Sequence, residues 1–162
     1  MQLFIVRHGK AARHSDSGRD ADRELTDRGH RQAAYLGDRL LVSDVRPGVI
    51  VASPLTRAQQ TARPIAELLG LELRTDERLA TGSTAGLMID LIAELHDAGE
   101  AAGAIVGHNP DLSLLAARLL GGGWGGSHEL RTGQMVAVRL RGRVEPNAGE
   151  LVGVERLVED DD

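Results

Sequence analysis

Leu3-Phe4-Ile5-Val6-Arg7-His8-Gly9 joins an apolar run directly to a cation, an imidazole and a glycine. An unbroken apolar run of this length reads as a strand buried on both faces, as in parallel sheets. Its arginine and histidine then lie at the sheet edge where ligands of open α/β folds bind. Gly9 lets the chain turn away without a side chain crowding that edge. Two later segments, Ser53-Pro54-Leu55-Thr56-Arg57 and Gly107-His108-Asn109-Pro110, also follow strand-like runs and supply a second arginine and a second histidine. The three segments together read as a pocket for a phosphoryl group.

Outward from these junctions, strands and helices alternate. Strands are expected at 2–6, 49–52, 71–74 and 104–106. A helix capped by Thr26 is expected over 27–42, with Ala33, Leu36, Leu40 and Leu41 at helical spacing. Ser53 and Pro54 are a cap and a first helical residue for a helix over 54–69. Pro64 should kink or split it. Another helix is expected over 85–98, and Asn109-Pro110 repeats the cap-then-proline signature for a helix ending near 120. The segments 9–25 and 76–84 read as loops and 121–126 as a flexible glycine-rich connection. Residues 134–140 and 150–158 form two last strands, a hairpin turning at Pro146-Asn147. Alternating strands and helices make an α/β fold, a three-layer α/β/α sandwich with a mostly parallel central sheet. It should form a single compact domain over 1–158, followed by a disordered acidic tail over 159–162.

Bulk composition narrows the function. A chain of 162 residues with 41% hydrophobic content suits one domain with a real core. Phe4, Tyr35 and Trp124 are its only aromatics and its formal net charge is −5. Both features oppose nucleic-acid binding, which needs stacking platforms and a basic footprint. Without cysteines there can be no disulfide, thiolate nucleophile or cysteine zinc site. His14, His30, His96 and His128 share no spacing and read as solvent-facing, so no metal is expected. No apolar stretch approaches a membrane span, and the expected setting is the cytoplasm. Arg13, Arg19, Arg23 and Arg28 resemble a rim for an acidic partner, but Asp16, Asp20, Asp22 and Asp27 are interleaved and favour a solvated loop. Gly121–Gly126 lacks the lysine of a phosphate loop, and Trp124 within it is a candidate partner contact.

The chemistry follows from the residue types. A dianionic phosphoryl group loses several kcal/mol of hydration unless cations and fixed donors replace the water. Arg7 and Arg57 each offer a planar fork for two phosphate oxygens. Helix N-termini after Ser53-Pro54 and Asn109-Pro110 add amide donors. Neutral imidazole is a competent nucleophile toward phosphorus, so His8 is the candidate phosphoryl acceptor. His108 is the candidate protonated partner, donating to the equatorial oxygens. Gly9 and Asn109 complete the expected substrate contacts.

Arg7-His8-Gly9, Leu25-Thr26 with Gly29 and Gln32-Ala33, Ser53-Pro54 with Arg57 and Gln60-Thr61-Ala62, and Gly107-His108 resemble the motifs of the histidine phosphatase superfamily. That superfamily includes the phosphoglycerate mutases. The short chain and its Gly107-His108-Asn109-Pro110 segment are most similar to the small phosphohistidine phosphatases of the SixA type. The resemblance spans roughly residues 2 to 140. It implies His8 as phosphoryl acceptor, Arg7, Arg57 and His108 as the phosphate pocket, and no metal or organic cofactor. It also implies occupation of the site by phosphate or sulfate. Lys10 stands where many members carry an acid, and Asn109 is an amide where some place a general acid. Glu77 lies in the loop from which larger members draw that acid, although Asp76 and Arg78 beside it suggest an ion-paired turn.

Three readings follow. One is a phosphatase removing phosphate from phosphohistidine on a signalling or histidine phosphotransfer protein, since imidazole leaves without a strong acid. A second is a phosphomonoesterase for a small metabolite with Glu77 as general acid. The third is a non-catalytic domain that binds phosphate or a phosphoprotein.

Overall fold

The computed structural model describes residues 1–121 and 129–159. Strands β1 (Gln2–Arg7), β2 (Val49–Ala52), β3 (Leu73–Thr75), β4 (Ala102–Gly107), β5 (Gln134–Leu140) and β6 (Gly149–Arg156) form one sheet in the order β3-β2-β4-β1-β5-β6. The first four are mutually parallel, whereas β5 and β6 run antiparallel and make the sheet mixed. Helices α1 (Asp27–Leu41) and α2 (Thr56–Leu69) cover one face, and α3 (Ala85–Asp97) and α4 (Asp111–Leu120) cover the other. This is the expected three-layer α/β/α sandwich. Among the described residues no helix is long and apolar enough to cross a membrane.

The period-two alternation of the strands divides the core in two. Leu3, Ile5, Val49, Val51 and Ile105 pack with α3 and α4. Phe4, Val6, Ile50, Ala52, Ala104 and Val106 pack with α1 and α2. Each fully buried Leu, Ile or Val side chain contributes about 1.5–3 kcal/mol, so both helical layers are anchored by the same central strands.

Several local expectations are corrected. α2 starts at Thr56 with Leu55 as its cap, not at Pro54 after a Ser53 cap. Pro64 lies inside an unbroken α2. It sits on the exposed side of the helix, where water can satisfy the carbonyl that its missing N–H leaves unbonded. α4 starts at Asp111 with Pro110 as its cap, and no side chain caps it, so Asn109 does not play that part. The third strand is shifted to Leu73–Thr75, and the two expected loops contain short 3₁₀ turns at Asp20–Asp22 and Glu77–Leu79. Thr26 does cap α1, accepting the Gly29 N–H at 3.2 Å. The hairpin turn falls as expected, with Asn147 at a left-handed φ of 64°. The expected connection 121–126 with Trp124, the histidine His128 and tail residues 160–162 lie almost wholly outside the described residues. Glu159, at the head of that tail, pairs with Arg31 at 2.7 Å.

Gly9 is required by a close approach. A Cβ there would lie 2.6 Å from the Gly29 carbonyl oxygen, and a Cβ on Gly29 would meet the Lys10 carbonyl oxygen. The loop after β1 is thus pressed against the first turn of α1, backbone to backbone.

Candidate active site

β1, β2 and β4 end side by side, because His8 N–H donates to the Gly107 carbonyl and Ser53 N–H to the Val106 carbonyl. That register brings the two histidines together, with ring centroids 5.2 Å apart and planes tilted by 53°. Both imidazoles are buried, His8 at 6% and His108 at 2% exposure. Arg57, in the first turn of α2, is 3% exposed, and Arg7 closes the group from the end of β1.

Each side chain is held by identifiable partners. His8 Nδ1 lies 2.7 Å from the Gly9 carbonyl oxygen. A carbonyl can only accept, so Nδ1 carries the proton and Nε2 keeps its lone pair. Burial, opposed by the Gly9 hydrogen bond and aided by Arg57 and Arg7, lowers the His8 pKa to about 4. The Gly9 N–H in turn donates to Thr61 Oγ1 at 3.0 Å, and that hydroxyl donates to the Arg57 carbonyl at 2.8 Å. Three motif residues are thereby linked in one chain of hydrogen bonds. Gln32 accepts the Lys10 N–H at 2.8 Å and Gln60 the Leu25 N–H at 2.8 Å, fixing both ends of the loop that crosses the pocket.

Arg7 donates from Nη1 to the Leu130 carbonyl at 2.8 Å. Arg57 donates to the Asp20 carbonyl at 2.9 Å and to its carboxylate at 3.2 Å. Burial pulls both guanidinium pKa values below the ordinary arginine value, with Glu129 opposing at Arg7 and Asp20 at Arg57. Burial would raise the Asp20 carboxyl, but Arg57 and Arg23 outweigh it and hold the group below its ordinary value. His108 Nε2 pairs with Ser53 Oγ at 2.7 Å. Burial, followed by His8 and Arg57, lowers the His108 pKa to about 3. The imidazole expected to be protonated is thus neutral in the free pocket. The same burial and neighbouring positive charge that make the site attractive to an anion expel a proton from it.

Four buried side-chain polar atoms have no hydrogen-bond partner among the described residues, and three of them are Arg7 Nε, Arg57 Nε and His108 Nδ1. Buried donors without acceptors are costly and uncommon, and phosphoryl oxygens are acceptors of the required kind. Chemically, the arrangement combines two desolvated cations with two neutral imidazoles.

Asn109, expected beside the substrate, uses both ends of its amide structurally. Its Nδ2 donates to the Leu130 carbonyl at 2.7 Å and its Oδ1 accepts from Ser113 Oγ at 2.9 Å. The Leu130 carbonyl thus serves both Arg7 and Asn109. Glu77 is exposed in its 3₁₀ turn. The neighbouring Arg78 binds Asp76 and Glu94, each at 2.8 Å, which is the ion-paired turn expected there. Among the described residues no hydrogen bond or ion pair joins Glu77 to the histidines. Sequence reasoning missed Asp20 and the Leu130 carbonyl, which come from loops with no motif of their own. Ser53 was placed as a helix cap, and only the register of β2 against β4 reveals its partnership with His108. Among the described residues, no group of three or more His, Asp or Glu side chains could hold a metal ion.

Residues 3–98 match the family model of the histidine phosphatase superfamily, branch 1. Phosphohistidine phosphatase SixA of Escherichia coli is 30% identical over 124 residues, covering 75% of this chain and 76% of that protein. The structure of the protein histidine phosphatase SixA complexed with tungstate superposes with a TM-score of 0.83 at 25% identity, covering 96% of this chain and 97% of the other. A mycobacterial glucosyl-3-phosphoglycerate phosphatase shares the fold, with a TM-score of 0.74 at 21% identity over 93% of this chain and 96% of its own.

Proposed function

The chain belongs to the histidine phosphatase superfamily of hydrolases, and we propose that it removes phosphate from phosphohistidine on a protein through a covalent intermediate on His8. The observation that carries this reading is the His8 imidazole, whose proton is committed to the Gly9 carbonyl and whose pKa is lowered to about 4. Its Nε2 is therefore a neutral nucleophile at physiological pH. In the first step Nε2 attacks phosphorus, a P–Nε2 bond forms, and the P–N bond to the substrate imidazole breaks. Arg7 and Arg57 grip the oxygens in both ground and transition states. His108 takes the part of donor through Nδ1, while its Nε2 stays paired with Ser53 Oγ, accepting from the hydroxyl when the ring is neutral and donating to it when the ring is protonated. A dianion beside His108 favours the protonated form that the free pocket disfavours. In the second step water attacks phosphorus, the P–Nε2 bond breaks, and inorganic phosphate leaves with His8 regenerated.

The acid inventory favours phosphohistidine over an ester. An alkoxide leaving group needs a proton from a general acid, an effect of about 10² to 10⁴ in rate. Asp20 is the carboxyl bonded to the pocket, and Arg57 and Arg23 hold it ionised, with no proton to give. Imidazole can depart neutral once its other nitrogen is protonated. The same chemistry would act on a small phosphorylated substrate that leaves easily.

The test is turnover of a phosphohistidine protein, phosphoserine and aryl phosphates at matched concentrations by the parent protein, His8→Ala and Glu77→Gln. His8→Ala should lose turnover by about 10⁴-fold or more and trap no labelled phosphoryl group. Glu77→Gln should leave phosphohistidine turnover unchanged. Full activity in His8→Ala ends the covalent mechanism. Esters preferred over phosphohistidine, together with a crippled Glu77→Gln, would establish the phosphomonoesterase instead.

A further inference from the structure

His8 and His108 are held by opposite ends of their rings. His8 binds the Gly9 carbonyl through Nδ1 at 2.7 Å, whereas His108 binds Ser53 Oγ through Nε2 at 2.7 Å. His108 Nδ1 is buried without a hydrogen-bond partner among the described residues. Ser53 is fully buried, and its backbone is fixed on both sides. Its N–H donates to the Val106 carbonyl at 2.9 Å, and its carbonyl accepts from Gln59 Nε2 at 2.8 Å. Its hydroxyl oxygen accepts the Leu55 N–H at 3.2 Å. Among the described residues the Leu55 N–H and His108 Nε2 are the hydrogen-bond partners of Ser53 Oγ, and no third is present.

Counting protons then decides the tautomer of the neutral ring. With the proton on Nε2, the Ser53 hydroxyl hydrogen would have no acceptor and His108 Nδ1 no donor, leaving two buried polar groups unpaired. With the proton on Nδ1, the hydroxyl donates to Nε2, and a single donor is left waiting for an acceptor. We infer that Ser53 is a positioning residue for phosphoryl transfer: its hydroxyl keeps the proton of neutral His108 on Nδ1, so that a donor stands ready for a phosphoryl oxygen before any further proton is taken up. The two histidines then share one tautomer and do opposite work. His8 commits its Nδ1 proton to Gly9 and offers a lone pair, while His108 commits its Nε2 lone pair to Ser53 and offers a proton. When a bound dianion draws a second proton to His108, it enters at Nε2, and Ser53 Oγ turns from donor to acceptor with Nδ1–H unchanged. A donor fixed in advance needs no reorganisation as charge moves onto the phosphoryl oxygens.

The donor role rests on the phosphatase reading above, whereas the tautomer does not, and the test separates them. It is the nitrogen NMR spectrum of the imidazole rings in phosphate-free protein at pH 7, with the His108 signals assigned by their loss in His108→Gln. The parent His108 should show a protonated Nδ1 and a bare Nε2. In Ser53→Ala the two nitrogens should move toward averaged shifts, and Ser53→Thr, which keeps the hydroxyl, should hold the parent pattern. Inorganic phosphate should bind Ser53→Ala about tenfold more weakly than the parent, the scale of one buried hydrogen bond. The kcat on the parent's best substrate should fall by a similar factor. A proton on Nε2, protons on both nitrogens, or averaged shifts in the phosphate-free parent each overturn the inference, and that spectrum needs no variant of Ser53 to fold. Losses in Ser53→Ala that leave the proton on Nδ1 would make Ser53 merely structural and overturn it too. Unchanged phosphate affinity and kcat in a Ser53→Ala protein with averaged shifts would overturn the donor role. A parent that turns over no phosphorylated substrate would end the phosphatase reading, with the spectrum and the phosphate affinities still deciding what Ser53 does.

Discussion

Helices α2 and α3 lie on opposite faces of the same sheet, yet they bury opposite kinds of side chain. α3 buries Met88, Leu91, Ile92 and Leu95 and no polar group. α2 buries Ala58, Ala62, Ile65 and Ala66 together with Arg57 and Thr61. The alanines give α2 little apolar area, but they keep its side chains short against the sheet. From there Thr61 reaches the Gly9 N–H, 52 residues away in sequence. One face of the sandwich supplies cohesion, and the other gives up some of it to hold a cation and a hydroxyl at the strand ends.

If that division is real, damage to α3 should cost stability without touching catalysis. Ile92 is fully buried, and Ile92→Ala should lower unfolding free energy by about 3 kcal/mol, from lost transfer energy and the cavity left behind. Urea unfolding measures the first quantity, and kcat of the folded protein should stay within about twofold. A kcat that falls in proportion to stability would break the contrast.

The second distinction is sensitivity to pH. His8 and His108 have folded-state pKa values of about 4 and about 3, below the ordinary 6.5. The unfolded chain therefore binds more protons than the native one as pH falls below 6.5, and stability declines through that window. Between pH 7 and pH 5 the loss should be on the order of 2 kcal/mol for each imidazole, about 4 kcal/mol together, and it should vanish in a His8→Gln/His108→Gln double variant. Ile92→Ala should cost the same at both pH values. Parent stability that does not change between pH 7 and pH 5 would show that the imidazoles are not desolvated as the packing implies.

How much of this was legible beforehand depends on what kind of signal each part leaves. The layers were readable because Leu3-Phe4-Ile5-Val6 and Val49-Ile50-Val51-Ala52 are continuous apolar runs, and such runs are strands buried on both faces. Arg7, His8, Arg57 and His108 were readable because each ends or follows such a strand. The start of α2 was misread by two residues and that of α4 by one because Ser53 and Asn109 are good capping residues by type. Their side chains also serve long-range partners, His108 and Leu130, which hold them ahead of the helix starts. Local sequence cannot reveal a bond between residues 55 apart. Asp20 was hidden for the same reason: in a loop of alternating charges, nothing marks one aspartate as the partner of a buried arginine.

Thr61 offers the finest test, because its effect should be small and specific. It sits on α2 and touches no substrate, so its part is positioning: it holds the Gly9 N–H, and the Gly9 carbonyl holds the proton of His8. Thr61→Val keeps the shape and removes the hydroxyl. It leaves a buried N–H without an acceptor, a loss of about 1 kcal/mol or somewhat more. If the loop relaxes to rescue that donor, the Gly9 carbonyl moves and the His8 ring loses its fixed tautomer. The expected result is a fivefold to tenfold fall in kcat, the rate equivalent of about 1 kcal/mol, with KM little changed. Thr61→Ser, which restores the hydroxyl, should recover most of it. Were Thr61→Ser as slow as Thr61→Val, the methyl group and not the hydrogen bond would be what α2 contributes here. The polar face of the sandwich would then differ from the apolar one less than the geometry indicates.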